Sequence, residues 1–222
     1  MKGLFITGTD TEIGKTHVAR VVVETLKSQG LRVSVMKPIA SGCIRGEAGL
    51  RNDDALSLMS HASASQDYAD VNPYAFEPAI APHLAAEEAG VSIDIPRIRS
   101  LFIKNCLHSD VCVVEGVGGW MVPLGEEQNL TELVDELQIP VILVVGMKLG
   151  CINHALLTIE QIERDSLPVT GWIANVLDPG MARLEENIDA LSTRIPYPLL
   201  GVIPHDADAS PVSLCSNLNI TI

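Results

Sequence analysis

The stretch GTDTEIGKTH, residues 8–17, decides how the rest of the chain is read. Phosphate-cradling loops follow the pattern glycine, any four residues, then Gly-Lys-Ser/Thr. Counting back from Gly14-Lys15-Thr16 puts the first glycine at position 9, yet Thr9 stands there and the glycine is Gly8. The stretch is therefore either a phosphate loop with one extra residue or an ordinary turn with a helix-capping threonine. Its context favours the loop. Apolar GLFIT, residues 3–7, runs into it, and the apolar-periodic KTHVARVVVETL follows. In that setting Gly8 and Gly14 would let the backbone aim N–H groups at an anion. Lys15 would reach the terminal phosphates, and Thr16 would offer a hydroxyl to Mg²⁺. The positive end of the following helix adds to anion binding.

Outward from the loop, short Val/Ile-rich runs alternate with longer amphipathic ones. Strands are predicted at 3–7, 32–36, 111–114, 141–145, 170–174 and 200–203, and helices at 15–29, 53–61, 95–107, 130–137, 152–165 and 181–193. Such alternation indicates βαβ units. Nearly continuous apolar strands fit burial on both faces. The expected fold is α/β, a doubly wound, mostly parallel sheet flanked by helices, P-loop NTPase-like, in a single domain over residues 1–222. Residues 41–91 are less regular and are expected to decorate the sheet with short helices and loops.

The bulk composition narrows the function. Of 222 residues, 47% are hydrophobic, enough for a substantial core, and the net charge is −13. That charge disfavours a broad nucleic-acid surface. The five cysteines, Cys43, Cys106, Cys112, Cys151 and Cys215, form no CxxC pair and read as reduced thiols. The N-terminus lacks a secretory pattern, and the longest apolar run, 139–147, is far below a membrane span. A cytoplasmic protein is expected.

Open parallel sheets bind ligands beyond the carboxyl ends of their strands. Six suggestive stretches fall there: residues 8–16, 37–41, 115–119 and 146–153, with Asn175 and Pro204. VCVVEG ends a strand in Glu115, either a Mg²⁺ ligand or a solvated carboxylate. Gly116 to Gly119 would leave room for a ligand beside the backbone. LRNDDALSL places Asp53 and Asp54 at a helix start, where they complement the dipole or bind a cation, and spacing does not choose between them. KPIASG puts Lys37 directly after the second strand, where it would neutralise an anionic intermediate or simply be solvated. GMKLGCINHA offers the N–H groups of Gly150, Cys151, Ile152 and Asn153 as a carboxylate nest. Cys151 reads as a small buried thiol, while Lys148, His154 and Trp120 read as structural. Asn175 and Pro204 complete the set.

Together GTDTEIGKT, KPIASG, GLRNDDAL, VNPYAF, APHLAA, VVEGVGGW, PVILVVGMKLGCINHALLT and GWIAN resemble the dethiobiotin synthetase family, from residue 4 to about residue 204. The resemblance implies a homodimeric, ATP- and Mg²⁺-dependent ligase of biotin biosynthesis. It would condense 7,8-diaminopelargonate with CO₂ (or bicarbonate) through a carbamate and a carbamic–phosphoric anhydride. It implies Thr16, Asp54 and Glu115 as Mg²⁺ ligands. ATP would be held by Glu12, Ile13, Gly14, Lys15, Thr16 and His17, by Asp54, by Glu115, Gly116, Val117 and Gly118, and by Asn175 and Pro204 at the purine. The diamine would meet Thr11, Lys37 and Ser41, and its carboxylate Gly150, Cys151, Ile152 and Asn153 across the dimer. Lys37 and Lys15 would be catalytic. An acid contacting ribose is expected in the tail, with Asp206 and Asp208 as its candidates. Partitioning ATPases of the same fold usually carry a signature lysine where Thr9 stands, which counts against that alternative.

Overall fold

The computed structural model describes residues 2–206 and 208–221. Its strands are β1 (Gly3–Gly8), β2 (Val33–Met36), β3 (Ile39–Ala40), β4 (Ile44–Gly46), β5 (Gly49–Arg51), β6 (Tyr74–Ala75), β7 (Val111–Glu115), β8 (Val141–Met147), β9 (Val169–Val176) and β10 (Leu199–Ile203). Its α-helices are α1 (Lys15–Ser28), α2 (Asp53–His61), α3 (Tyr68–Val71), α4 (Pro82–Glu88), α5 (Ile95–Cys106), α6 (Leu130–Leu137), α7 (Cys151–Arg164), α8 (Leu184–Arg194) and α9 (Pro211–Leu214).

The main sheet has six strands in the order β10-β9-β8-β1-β7-β2. All its pairings are parallel. Successive side chains of a strand point to opposite faces, so a strand buried on both faces is apolar throughout. The strands follow that rule. Phe5 of β1, Cys112 and Val114 of β7, and Val141, Leu143 and Val145 of β8 belong to one core. Leu4, Ile6, Val111, Val113, Ile142 and Val144 belong to the other. Helices α5, α6, α7 and α8 contribute to the first core, and α1, α2 and α9 to the second. The six predicted strands and six predicted helices are all present, with ends shifted by up to three residues. The largest shift is at α8, because Arg183 takes a left-handed φ of 58° and the helix begins only after it.

From β1 the chain goes out to β2, returns to β7 between them, and then crosses to β8, β9 and β10 on the other side. That reversal opens a crevice at the carboxyl ends of β1 and β7. Residues 41–91 build one wall of it. They hold the helices expected there and also elements that were not expected: β6, which pairs with β3, and the hairpin of β4 and β5. The tail packs back onto α1. Leu214, Leu218 and Ile220 are buried, Thr25 Oγ1 donates to Cys215 O, and Gln29 Nε2 donates to Ile220 O. Among the described residues no helix is long and apolar enough to cross a membrane.

Candidate active site

The loop after β1 first continues the ladder, with Thr9 N–H donating to Val144 O of β8. It then turns at two left-handed residues, Glu12 (φ 58°) and Gly14 (φ 81°). The turning does not fall on Gly8, contrary to the expectation above. Gly8 ends β1 and is required for space: a Cβ there would stand 2.6 Å from Ile13 Cδ1 and 3.0 Å from Lys15 Cγ. Gly14 needs both its φ and its bareness, since a Cβ would lie 2.3 Å from Asn175 Nδ2. That amide donates to Ile13 O at 2.8 Å, so β9 braces the loop from two strands away. Ile13 itself is fully buried and offers only its backbone.

The braced loop closes one side of a cleft of about 940 Å³. Thr11, Glu12, Gly14, Lys15 and Thr16 line it from the loop, Lys37 and Ser41 from the segment after β2, and Asp54 from α2. Glu115, Val117, Gly118 and Gly119 line it from the end of β7 and the loop beyond. Asp54 is the acid that enters, while Asp53 faces solvent. Sequence reasoning missed the opposite wall, which is largely apolar: Ile80, Pro82, Met121, Val122 and Pro123 among others. The available signal was the clustering of Ala, Ile and Pro in AIAPHLAA and of apolar residues in WMVP.

At the bottom of the cleft the charges are tightly coupled. Lys37 Nζ lies 2.7 Å from Glu115 Oε1 and 3.4 Å from Asp54 Oδ2, and Thr16 Oγ1 donates to the same Glu115 oxygen at 2.8 Å. The Lys37 and Glu115 side chains are 6% and 1% exposed. Burial opposes the charge on Lys37, but Glu115 and Asp54 outweigh it and hold the ammonium above the ordinary lysine range. Lys15 behaves oppositely. Its Nζ donates to Asp10 O at 2.7 Å, and burial, followed by the charge of Lys37, lowers it from 10.5 to about 8. The cleft thus holds one lysine held firmly in its charged form and one whose charge weakens near pH 8 and would be reinforced by a polyanion.

Two polar atoms here have no partner among the described residues: Glu115 Oε2 and Ser41 Oγ, both buried. Thr16, Asp54 and Glu115 supply a hydroxyl and two carboxylates. That hard oxygen set is too small to cage a magnesium ion alone and suited to one that arrives with phosphate oxygens.

The sequence and the fold have known relatives. A family model described as "AAA domain" matches residues 2–213. The ATP-dependent dethiobiotin synthetase BioD of Pseudomonas paraeruginosa is 49% identical over 99% of this chain and 97% of its own length. The enzyme of the same name from Cellvibrio japonicus is 48% identical over 99% of this chain and 96% of its own. The chain belongs to the dethiobiotin synthetase family. Among solved structures, the Aquifex aeolicus MinC:MinD cell division complex shares the fold at TM-score 0.58 and 18% identity, covering 93% of this chain and 82% of its own. A ParA family ATPase from Chlorobium tepidum does so at 0.57 and 15%, covering 98% and 90%.

The remaining motif residues of this dethiobiotin synthetase family member lie outside the cleft. Gly116 donates its N–H to Ile6 O, inside the sheet edge. The ring of His17 turns to Arg20, at 3.2 Å. Pro204 is exposed beyond edge strand β10. Asp206 accepts the Asp208 N–H at 3.0 Å, and neither acid lines the cleft. Gly150, Ile152 and Asn153 stand at the start of α7, with neighbouring Leu149 97% exposed. The expected nest there has one donor fewer, because Cys151 N–H is committed to Lys148 O at 3.0 Å. Cys151 is buried. Lys148 reaches Asp10 at 3.5 Å, and Trp120 is buried with its indole N–H on Asp165 Oδ2.

Proposed function

We propose that this chain is a cytoplasmic dethiobiotin synthetase, a single-domain ATP-dependent ligase that closes the ureido ring of dethiobiotin on 7,8-diaminopelargonate. Near-complete alignment with enzymes of that name supports the ATP-dependent activity. The observation that carries the reaction chemistry is the second lysine. Lys37 shares one cleft with the loop lysine and two acids, and an apolar wall faces them.

In this reading one amine of the substrate adds to CO₂ and loses a proton, giving a carbamate anion. A carbamate oxygen displaces ADP from the γ-phosphorus, forming a carbamic–phosphoric anhydride. The second amine attacks the carbamoyl carbon, the C–O bond to phosphate breaks, and the ring closes with release of phosphate and a proton. The difficulty is electrostatic, because a carbamate must approach a triphosphate of the same sign. Lys15 and Lys37 offset that repulsion, and holding both reactants in one cleft removes most of the entropic barrier. Thr16, Asp54 and Glu115 would hold Mg²⁺, which when bound would neutralise phosphate charge. The backbone from Glu12 to His17 would wrap the phosphates, with Val117 and Gly118 beside them. Thr11 and Ser41 would hold the diamine, and Ile80, Pro82 and Met121 its alkyl chain.

The substrate carboxylate would be met by Gly150, Ile152 and Asn153 of a second copy, since those groups stand outside their own cleft. Cys151 is kept as packing. Asn175 and Pro204 would stand near the purine. The test is phosphate release from MgATP, expected only when both diaminopelargonate and bicarbonate are present. Turnover indifferent to the diamine would instead favour a switch ATPase.

A further inference from the structure

Lys37 and Asp54 enter the cleft from separate elements, the end of β2 and the first turn of α2. What holds those elements in register lies behind the cleft, in and beside α3. Lys37 N–H donates to Val71 O at 3.0 Å, and Asn72 Nδ2 donates to Lys37 O at 2.6 Å. The second bond matters because the next residue is Pro38, which brings no N–H, so Lys37 O is the only hydrogen-bonding group of that peptide unit. Asn72 Oδ1 accepts from the Tyr68 hydroxyl at 2.8 Å, and the same hydroxyl oxygen accepts from Asn52 N–H at 2.7 Å. Asn52 Oδ1 then accepts from Ala55 N–H at 3.1 Å, capping the helix that carries Asp54. Asn72 and Asn52 are 3% and 7% exposed, and Arg51 lies over the Tyr68 ring at 4.2 Å. Neither Tyr68 nor Asn72 lines the cleft.

We propose that Tyr68 and Asn72 are positioning residues for phosphoryl transfer: a hydrogen-bond relay that fixes where the Lys37 ammonium stands relative to the Asp54 carboxylate. The inference rests on the functional reading above for the role of Lys37. The relay reaches both partners through their backbones. Removing its centre lets the Lys37–Pro38 peptide and the start of α2 shift relative to each other, while the phosphate loop and Glu115 stay in place.

Tyr68→Phe is the test, because it keeps the ring and its Arg51 contact and deletes only the hydroxyl. The kcat for ADP formation should fall about 10- to 100-fold, the loss that a misplacement of about 1 Å produces. The KM for ATP should stay near wild type and the melting temperature should fall modestly, because Asn52 N–H and Asn72 Oδ1 lose their partner; a merely structural role would move the melting temperature alone and spare kcat. Asn72→Ala should lower kcat in the same way, and the double variant should lose no more than the worse single, because both break one relay. Full additivity would overturn the relay, as would an unchanged kcat in Tyr68→Phe. ¹³Cε-lysine NMR, with the Lys37 signal assigned by Lys37→Arg, reads the ammonium without turnover. At fixed neutral pH its chemical shift should move in Tyr68→Phe, and an unmoved shift would also overturn the relay. A wild type that forms no ADP with diamine and bicarbonate would overturn the functional reading instead, and the Lys37 signal would still decide the relay.

Discussion

The centre and the rim of the sheet's carboxyl edge are built differently. At the centre, between β1, β7 and β2, buried Lys37 and Glu115 are tied to each other and to the part-exposed Asp54 and Thr16 in one cluster. At the rim, Asn153 and Pro204 are exposed and stand outside the cleft. Two glycines with the same backbone sign express the contrast. Gly14 and Gly150 both take left-handed φ, 81° and 94°. A Cβ on Gly14 would strike Asn175, while one on Gly150 would meet nothing within 4 Å. The centre is braced from within the fold, whereas the rim stands open.

The sharpest way to break that contrast is to remove the central cation. Lys37→Ala should lower turnover about 100- to 1000-fold, the size found for deleting one preorganised electrostatic donor. Nucleotide affinity, read by calorimetry, should change far less, because Lys15 and the loop remain. Turnover that survives intact would remove Lys37 from the reaction. Gly14→Ala comes next. The collision with Asn175 adds to the roughly 1–2 kcal/mol that a left-handed Ala costs. It should therefore weaken nucleotide binding strongly, while Gly150→Ala should cost only the backbone strain and leave nucleotide binding unchanged. Equal effects on nucleotide affinity would deny the loop its brace.

A smaller effect tests the two lysines against each other. Free Lys15 loses its proton near pH 8, and a bound triphosphate raises its pKa. Above about pH 8 the complex therefore holds more protons than its separated parts. ATP affinity should fall as pH rises through that range, with proton uptake visible as buffer-dependent heat. Lys37, held above the ordinary range, should add no such dependence there. Affinity flat between pH 7 and 9 would contradict the lowered Lys15. At the rim, Asn153→Asp should raise the KM for the diamine about fivefold, the cost of about 1 kcal/mol for a like charge near the substrate carboxylate in water. The KM for ATP should not move.

The sheet was legible because parallel strands buried on both faces are written as unbroken apolar runs, as VILVVGM and VCVV are. Pairs such as β3 with β6 were not, because two residues carry no period. The hairpin of β4 and β5 is not fully buried and has no core pattern to read. In the site, the phosphate loop, Lys37 and Glu115 stood at strand ends where chemistry is expected. Spacing alone did not choose Asp54 over Asp53; the resemblance did, and the structure agrees in turning Asp54 into the cleft. The brace from Asn175 and the relay through Tyr68 and Asn72 had no local signal, since each joins segments that meet only after folding.

The central claim is that this cleft sets a carbamate oxygen against the γ-phosphate. It is tested most directly by following that oxygen. Enzyme, MgATP and diaminopelargonate are mixed with freshly dissolved ¹⁸O-labelled CO₂, and the released phosphate is analysed by mass spectrometry. The account predicts one ¹⁸O atom in each phosphate, carried over when the anhydride collapses. Unlabelled phosphate formed alongside dethiobiotin would mean that water, not the carbamate, takes the phosphoryl group, and would contradict it.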